Sequence, residues 1–333
     1  MIVDRRTVLV GTLAAGLAAP AAAQTPPPAV PGGNRAPAWP EPSETIDLWP
    51  KGAPGMPDKP PIETVRERST DPELNDRAVL GISRPRMAVF RPWRPNGASI
   101  LITPGGGYSW VVVDKEGYEL AAWFAERGFT CFVLFYRLPH EGWAAGPDTP
   151  LQDAQRAVRL IRHRARDFGI DPARICAMGF SAGGHLCADL AARFDAAVYK
   201  PVDGADRLSA RPLVAAPIYP VISMTAPVAH AGSRKNLIGE EASPERERAH
   251  SPHLNVKANS PPCFLVHAED DPAVPVENSL LFRAALKAAK VPVEMHLFAE
   301  GGHGFGMRRV MGKPAAVWPD LFLAWARVRG VVS

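Results

Sequence analysis

The chain has 333 residues, of which 46% are hydrophobic and 22% charged, the composition of a globular protein with a sizeable core. Its formal charge of +4 comes from 38 Lys and Arg set against 34 Asp and Glu. The two signs are interspersed, with no basic block of the kind that binds nucleic acid or a membrane surface.

The first element in the chain is a targeting segment. Asp4-Arg5-Arg6-Thr7-Val8-Leu9 precedes an uncharged run from Val8 to Ala19, followed by Pro20-Ala21-Ala22-Ala23. A charged start, a short apolar stretch and an Ala-x-Ala site make residues 1–23 a signal peptide, and the paired arginines resemble a twin-arginine signal. About twelve apolar residues are too few to span a bilayer core, which needs roughly 20. No later segment is apolar for long enough either, so the expected location is periplasmic or secreted, with no membrane contact after signal removal.

Residues 24–61 hold 12 of the 36 prolines. Proline lacks a backbone donor and fixes φ, so this stretch reads as a linker and N-terminal arm, with Thr45–Trp49 as an edge strand. Residues 62–333 read as one catalytic domain. Its expected strands are Met87–Phe90, Ser99–Thr103, Thr130–Tyr136, Arg174–Phe180, Leu213–Tyr219, Cys263–His267 and Val293–Phe298. Near-continuous apolar runs such as Cys131-Phe132-Val133-Leu134-Phe135 suit strands covered on both faces. Between them, Leu151, Ala154, Val158, Ile161, Ala165 and Phe168 recur at steps of three and four, one face of a helix. Thr149-Pro150-Leu151-Gln152 reads as its capping box, and Gly169 with Asp171-Pro172 as its end. Further helices are expected at Tyr118–Arg127, Ala182–Phe194, Glu277–Lys290 and Ala315–Val328. Strand–helix alternation of this kind implies an α/β fold with a mostly parallel sheet and helices on both faces.

Four cysteines in an oxidising compartment invite a disulfide reading. Cys131, Cys176 and Cys263 lie in strand-like runs and Cys187 on a helix, contexts that favour unpaired, buried thiols. No Cys-x-x-Cys or His-Glu-x-x-His string suggests a metal, and no cofactor is implied.

The strongest chemical signal is Gly179-Phe180-Ser181-Ala182-Gly183, a Gly-x-Ser-x-Gly run between an apolar strand and a helical segment. Such a turn exposes the serine, and flanking glycines let it pass neighbouring elements. The helix begins at the serine, so the Ala182 amide aims at a developing oxyanion. An acidic loop, Glu269-Asp270-Asp271, follows one later strand, and Gly302-His303-Gly304 follows the last. Nucleophile, acid and histidine thus fall in the order, and at the carboxyl strand ends, that this chemistry uses. Pro104-Gly105-Gly106-Gly107-Tyr108 follows strand Ser99–Thr103 and reads either as a second oxyanion loop, with proline where a His-Gly-Gly-Gly motif has histidine, or as a tight turn; the Gly-Lys-Ser/Thr that a phosphate loop would need is missing.

Pro104–Tyr108, Glu116-Gly117, Tyr136-Arg137-Leu138, Leu151-Gln152-Asp153-Ala154, Gly179–His185, Gly232-Ser233-Arg234 with Asn236-Leu237-Ile238-Gly239, the Asp271 loop and Gly302-His303-Gly304 together resemble bacterial acetylesterases of the α/β-hydrolase superfamily. The resemblance is to the acetyl xylan esterase branch. It implies an α/β-hydrolase fold without a separate large lid domain, and a Ser181–His303–Asp271 triad with oxyanion amides at Gly106, Gly107 and Ala182. In that superfamily the acid lies three residues before a Val, which selects Asp271 over Asp270. The implied substrate is a small-molecule or saccharide ester. Tyr108, Trp110, Glu116 and Trp143 are candidate substrate contacts. The tryptophans could stack on a sugar or pack in the core or rim, and Glu116 could bind substrate or form a surface salt bridge. A serine peptidase of the prolyl-oligopeptidase type, a broad-specificity short-chain carboxylesterase and a non-catalytic binding protein are the alternatives.

Overall fold

Continuous apolar runs become the inner strands of one large sheet. The structure, a computed structural model, describes residues 41–332. The strands are β1 (Glu44–Asp47), β2 (Arg86–Phe90), β3 (Ser99–Thr103), β4 (Thr130–Phe135), β5 (Ile175–Phe180), β6 (Val214–Ile218), β7 (Cys263–Ala268) and β8 (Val293–Phe298). They lie in the order β1-β2-β4-β3-β5-β6-β7-β8. β2 pairs antiparallel with β1 and with β4, and the other neighbours are parallel. Every residue of β3 to β7 is buried, whereas β8, an edge strand, is only partly covered.

The longer helices are α1 (Glu119–Ala125), α2 (Thr149–His163), α3 (Ala182–Arg193), α4 (Ala231–Ile238), α5 (Glu277–Ala288) and α6 (Trp318–Val328). Side chains alternate across a strand, so neighbouring residues report on opposite faces. A Cβ on Gly179 would meet Cys187 of α3, while Phe180 packs on Trp318 of α6 with ring centroids 6.0 Å apart. Helices therefore cover both faces of the sheet. α1 joins α6 through Phe124 and Phe322, centroids 5.7 Å apart, and α2 lies beside α3. No helix among the described residues is long and apolar enough to cross a membrane.

The expected signal peptide, residues 1–23, and the start of the proline-rich stretch lie outside the described residues. The rest of that stretch supplies β1 to the sheet edge. A second, three-stranded antiparallel sheet (Thr64–Glu67, Arg77–Leu80 and Val111–Val112) was not expected from the sequence. Thr64–Glu67 is polar and largely exposed, so it carries no apolar run to read.

Some expectations are corrected. Thr149 does not cap α2: a 3₁₀ turn at Gly146–Asp148 runs directly into the helix, Thr149 is already helical, and its buried hydroxyl has no partner among the described residues. Gln152 bonds Arg137 and the Val198 carbonyl instead of the helix start. The helix expected from Tyr118 is preceded by a π turn, Asp114–Tyr118, and the one expected from Ala315 begins as a 3₁₀ turn, Pro314–Val317. All four cysteines are unpaired and buried, and burial pushes the Cys187 thiol up to about 12.

The resemblance motifs at Tyr136–Leu138 and Leu151–Ala154 meet as a fully buried ion pair. Arg137 places its backbone N–H and its guanidinium on Asp153, with Nη2 2.8 Å from Oδ1. Trp49 donates to the same carboxylate at 2.8 Å, and Arg137 Nη1 reaches the Pro54 carbonyl at 2.7 Å. This pair fastens the N-terminal arm to the end of β4 and to α2. Removing one partner strands the other charge, so Asp153→Ala should lower unfolding free energy by about 3–5 kcal/mol. Urea titration checks this, and a loss within about 0.5 kcal/mol, the range of a neutral surface change, would remove the pair from this role.

Candidate active site

β5 ends at Phe180 and α3 begins at Ala182, which leaves Ser181 alone to turn the chain. It does so at φ 54°, ψ −119°, a conformation costly for any residue with a Cβ. The turn is held from both sides: Ser181 N–H donates to Ile218 O at 3.1 Å, and its carbonyl accepts from His185 and Val221. Gly183 is required by close approach, because a Cβ there would overlap the Thr103 and Pro104 carbonyls. The loop after β3 and the serine turn therefore touch backbone to backbone.

His303 lies in a loop with Gly302, Gly304 and Gly306, all at positive φ. Its Nε2 is 2.8 Å from Ser181 Oγ, and its Nδ1 is 2.7 Å from Asp271 Oδ2. The carboxylate can only accept, which puts the proton on Nδ1 and leaves Nε2 to accept from the serine hydroxyl. The Asp271 side chain is fully buried. Its Oδ1 accepts from the Ala273 and Val274 amides, and Oδ2 is also approached by His267 Nε2 at 3.3 Å. Burial pushes this carboxyl up, but the bonds from His267, His303 and Val274 outweigh it and hold it well below the usual range. Asp270 points elsewhere. Its Oδ1 accepts from the Gly301 and Gly302 amides at 2.8 and 2.7 Å, so it pins the histidine loop rather than its own turn.

The Pro104–Tyr108 loop is fixed through its carbonyls. Pro104 O accepts from Tyr136 Oη, Gly105 O from Val112 N, Gly106 O from Ser109 N, and Gly107 O from Asn236 Nδ2. The Gly105 N–H is also taken, by Glu116 Oε2. The N–H groups of Gly106 and Gly107 have no acceptor among the described residues, nor has Ala182 at the start of α3. Three unengaged donors beside a serine suit a developing negative charge.

The four candidate substrate contacts fare differently. Tyr108 is buried at φ 58°, with its hydroxyl 2.7 Å from His185 Nδ1, and Trp143 is buried against Arg137, 4.8 Å from ring centroid to guanidinium. Neither is a substrate platform. Glu116 is also buried, bonded to Gly105 and to Tyr219 Oη, which corrects both the substrate and the surface-salt-bridge readings. Trp110 is half-buried beside Gly106, with Arg68 over its ring at 5.7 Å. Sequence reasoning missed His267, although the His-x-x-x-Asp spacing was there to read, and missed Tyr219 and the role of Asn236. His230, which caps α4 by accepting from Ser233 N, was missed as well. Among the described residues no group of His, Cys, Asp and Glu is placed to hold a metal ion.

A family model described as BD-FAE matches residues 94–286. Over 251 residues the chain is 38% identical to endo-1,4-beta-xylanase B of Butyrivibrio fibrisolvens, covering 75% of this chain and 39% of that protein. It is 34% identical over 226 residues to an acetylxylan esterase of Xylanibacter ruminicola, covering 66% and 44%. The chain thus spans less than half the length of these two curated relatives. An acetyl ester-xyloside bifunctional hydrolase from Caldicellulosiruptor lactoaceticus has a similar structure, with 35% identity and a TM-score of 0.72, covering 88% of this chain and 98% of that one.

Burial lowers the His185 pKa to about 4, and the ring is held neutral between Tyr108 Oη and the His250 carbonyl. The unfolded chain takes up this proton near pH 6.5 and the folded chain does not until about pH 4. The stability this group contributes is therefore complete above pH 6.5 and falls away toward pH 4. At 1.36 kcal/mol per pH unit the loss is on the order of 3 kcal/mol. His185→Gln should flatten the pH dependence of urea midpoints between pH 6.5 and 4, and an unchanged slope would assign the acid sensitivity to other groups.

Proposed function

Since this chain belongs to the BD-FAE family, we propose that it is a serine carboxylic-ester hydrolase. In this reading it removes short acyl groups, acetyl above all, from acetylated plant polysaccharides or oligosaccharides such as xylan. The observation that carries the chemistry is the unbroken line Ser181 Oγ–His303 Nε2, His303 Nδ1–Asp271 Oδ2, at 2.8 and 2.7 Å. The substrate class is supported by the relatives, two of which bear acetyl-ester names.

The reaction runs in two halves. His303 Nε2 takes the Ser181 proton as Oγ attacks the ester carbonyl, and the Gly106, Gly107 and Ala182 amides receive the oxyanion. The imidazolium, stabilised by Asp271, then protonates the departing alcohol. A water molecule, deprotonated by the same nitrogen, attacks the acyl-serine and releases the acid. Nothing in this sequence calls for a cofactor.

A fluorophosphonate probe should label Ser181, and Ser181→Ala should abolish both labelling and hydrolysis of p-nitrophenyl acetate. Asp271→Asn should cost about 10⁴ in turnover, as in serine proteases, because it removes the charge that stabilises the imidazolium. Asp270→Asn keeps an amide oxygen to accept from Gly301 and Gly302, so its cost should stay under about tenfold. If Asp270→Asn proves the inactive variant, the acid is misassigned.

Acyl preference provides a separate check. Acetyl esters should exceed octanoyl esters by at least about tenfold in kcat/KM, roughly 1.4 kcal/mol of transition-state discrimination. A profile that is flat or rises with chain length would contradict an acetylesterase, and deacetylation of xylan against mannan would then identify the sugar.

A further inference from the structure

Two loops at this site come from distant parts of the chain, and one buried carboxylate is bonded toward both. Glu116 is 3% exposed and Lys115 beside it 4%, although neither type is ordinarily found inside a protein. Both sit on the π turn Asp114–Tyr118, a geometry frequent at functional sites. Glu116 Oε2 accepts from the Gly105 N–H at 2.9 Å. That peptide is gripped at its other end as well, because Tyr136 Oη donates to Pro104 O at 2.7 Å. The Pro104–Gly105 unit cannot flip without breaking both bonds, and its orientation sets where the following Gly106 and Gly107 amides point.

The other oxygen reaches the histidine loop. Tyr219 Oη donates to Glu116 Oε1 at 3.0 Å and accepts from the Gly306 N–H at 3.0 Å. Its ring meets the rings of His303 and Phe305 edge-on, with centroids 5.4 and 4.4 Å away. Tyr219 holds φ at 36°, which an aromatic residue adopts only under constraint. The loop also lies directly on the charged pair: a Cβ on Gly304 would stand 3.3 Å from Lys115 Nζ and 3.4 Å from Glu116 Oε1.

We infer that Glu116 is a positioning residue that, through Gly105 on one side and Tyr219 and Gly306 on the other, makes the oxyanion amides and the general base a single mechanical unit. It touches no substrate. The inference rests on the proposed esterase chemistry for its kinetic consequence and on geometry alone for the coupling, so the two are tested separately.

Glu116→Gln keeps a single acceptor oxygen, so of the bonds from Gly105 and Tyr219 it can retain only one. With p-nitrophenyl acetate, kcat should fall about 10- to 100-fold, somewhat less than for outright loss of an oxyanion donor, while KM changes less than about threefold. Tyr219→Phe should show the same split between kcat and KM. The double variant should lose clearly less than the product of the two single losses, because both act through one chain of bonds. Circular dichroism and urea midpoints confirm folding. If Glu116→Gln fails to fold, Tyr219→Phe alone decides by its kcat. The geometric arm needs no turnover: amide NMR of the wild type and of each variant follows Gly105, Gly306 and the low-field His303 Nδ1 proton. The coupling predicts that Tyr219→Phe shifts Gly105 and that Glu116→Gln shifts Gly306 and the His303 proton. Signals confined to the mutated side overturn the inference, as does a kcat within twofold of wild type in either single variant. A wild type inactive on all esters would overturn the esterase reading instead, and the NMR arm would still decide the coupling.

Discussion

The contact between the serine turn and the loop after β3 is backbone against backbone, and most of the site's geometry derives from it. Gly183 and Gly179 leave no Cβ between α3 and the Thr103–Pro104 segment, so the two chains approach as closely as main chains can. A Cβ on Gly105 would stand 3.0 Å from the Ser181 Cβ, so the glycine loop packs directly on the serine turn. The cost is a strained serine, met by three backbone hydrogen bonds on Ser181.

Polar residues deep in the molecule divide into two sets with different work. Arg137, Asp153, Gln152 and Trp49 hold the arm to the sheet, and they answer to stability. Glu116, Tyr219 and His267, with the half-buried Asn236, bond instead to the glycine loop, the Gly306 segment and Asp271, and we propose that they fix orientation there. Buried charge of the second kind is expensive to maintain, which is why preorganised sites confine it to a few fully bonded groups. Asp271 illustrates the balance: burial raises its pKa, and two imidazoles with two amides overcome that rise.

What could be read in the sequence follows the range over which each signal acts. The inner strands were legible because a strand covered on both faces is apolar throughout, and β3 and β8 match their expected bounds residue for residue. Asp271 was picked out by the resemblance, three residues before Val274, and His303 by its flanking glycines and its place last in the order. Asp270 was not, since its two partners stand 31 and 32 residues away. Substrate contact and packing stayed open for Trp143, and substrate contact and a surface salt bridge for Glu116, because residue type says nothing about which side of a loop faces inward. The Thr149 cap failed for a local reason, a preceding 3₁₀ turn that propensity alone does not announce.

The four cysteines make the chain's sensitivity to oxidation depend on whether it has folded. Cys131, Cys176 and Cys263 are locked into adjoining parts of one sheet and Cys187 into the helix over it, all with their thiols up-shifted by burial. Once folded, the four thiols are shielded from an oxidant, because none is accessible as a thiolate. Before folding, the same four groups are exposed and can cross-link in three ways when all are paired, none of which the folded protein contains. Folding in reducing surroundings followed by passage to oxidising ones is a safe itinerary, and the reverse sequence is a trap.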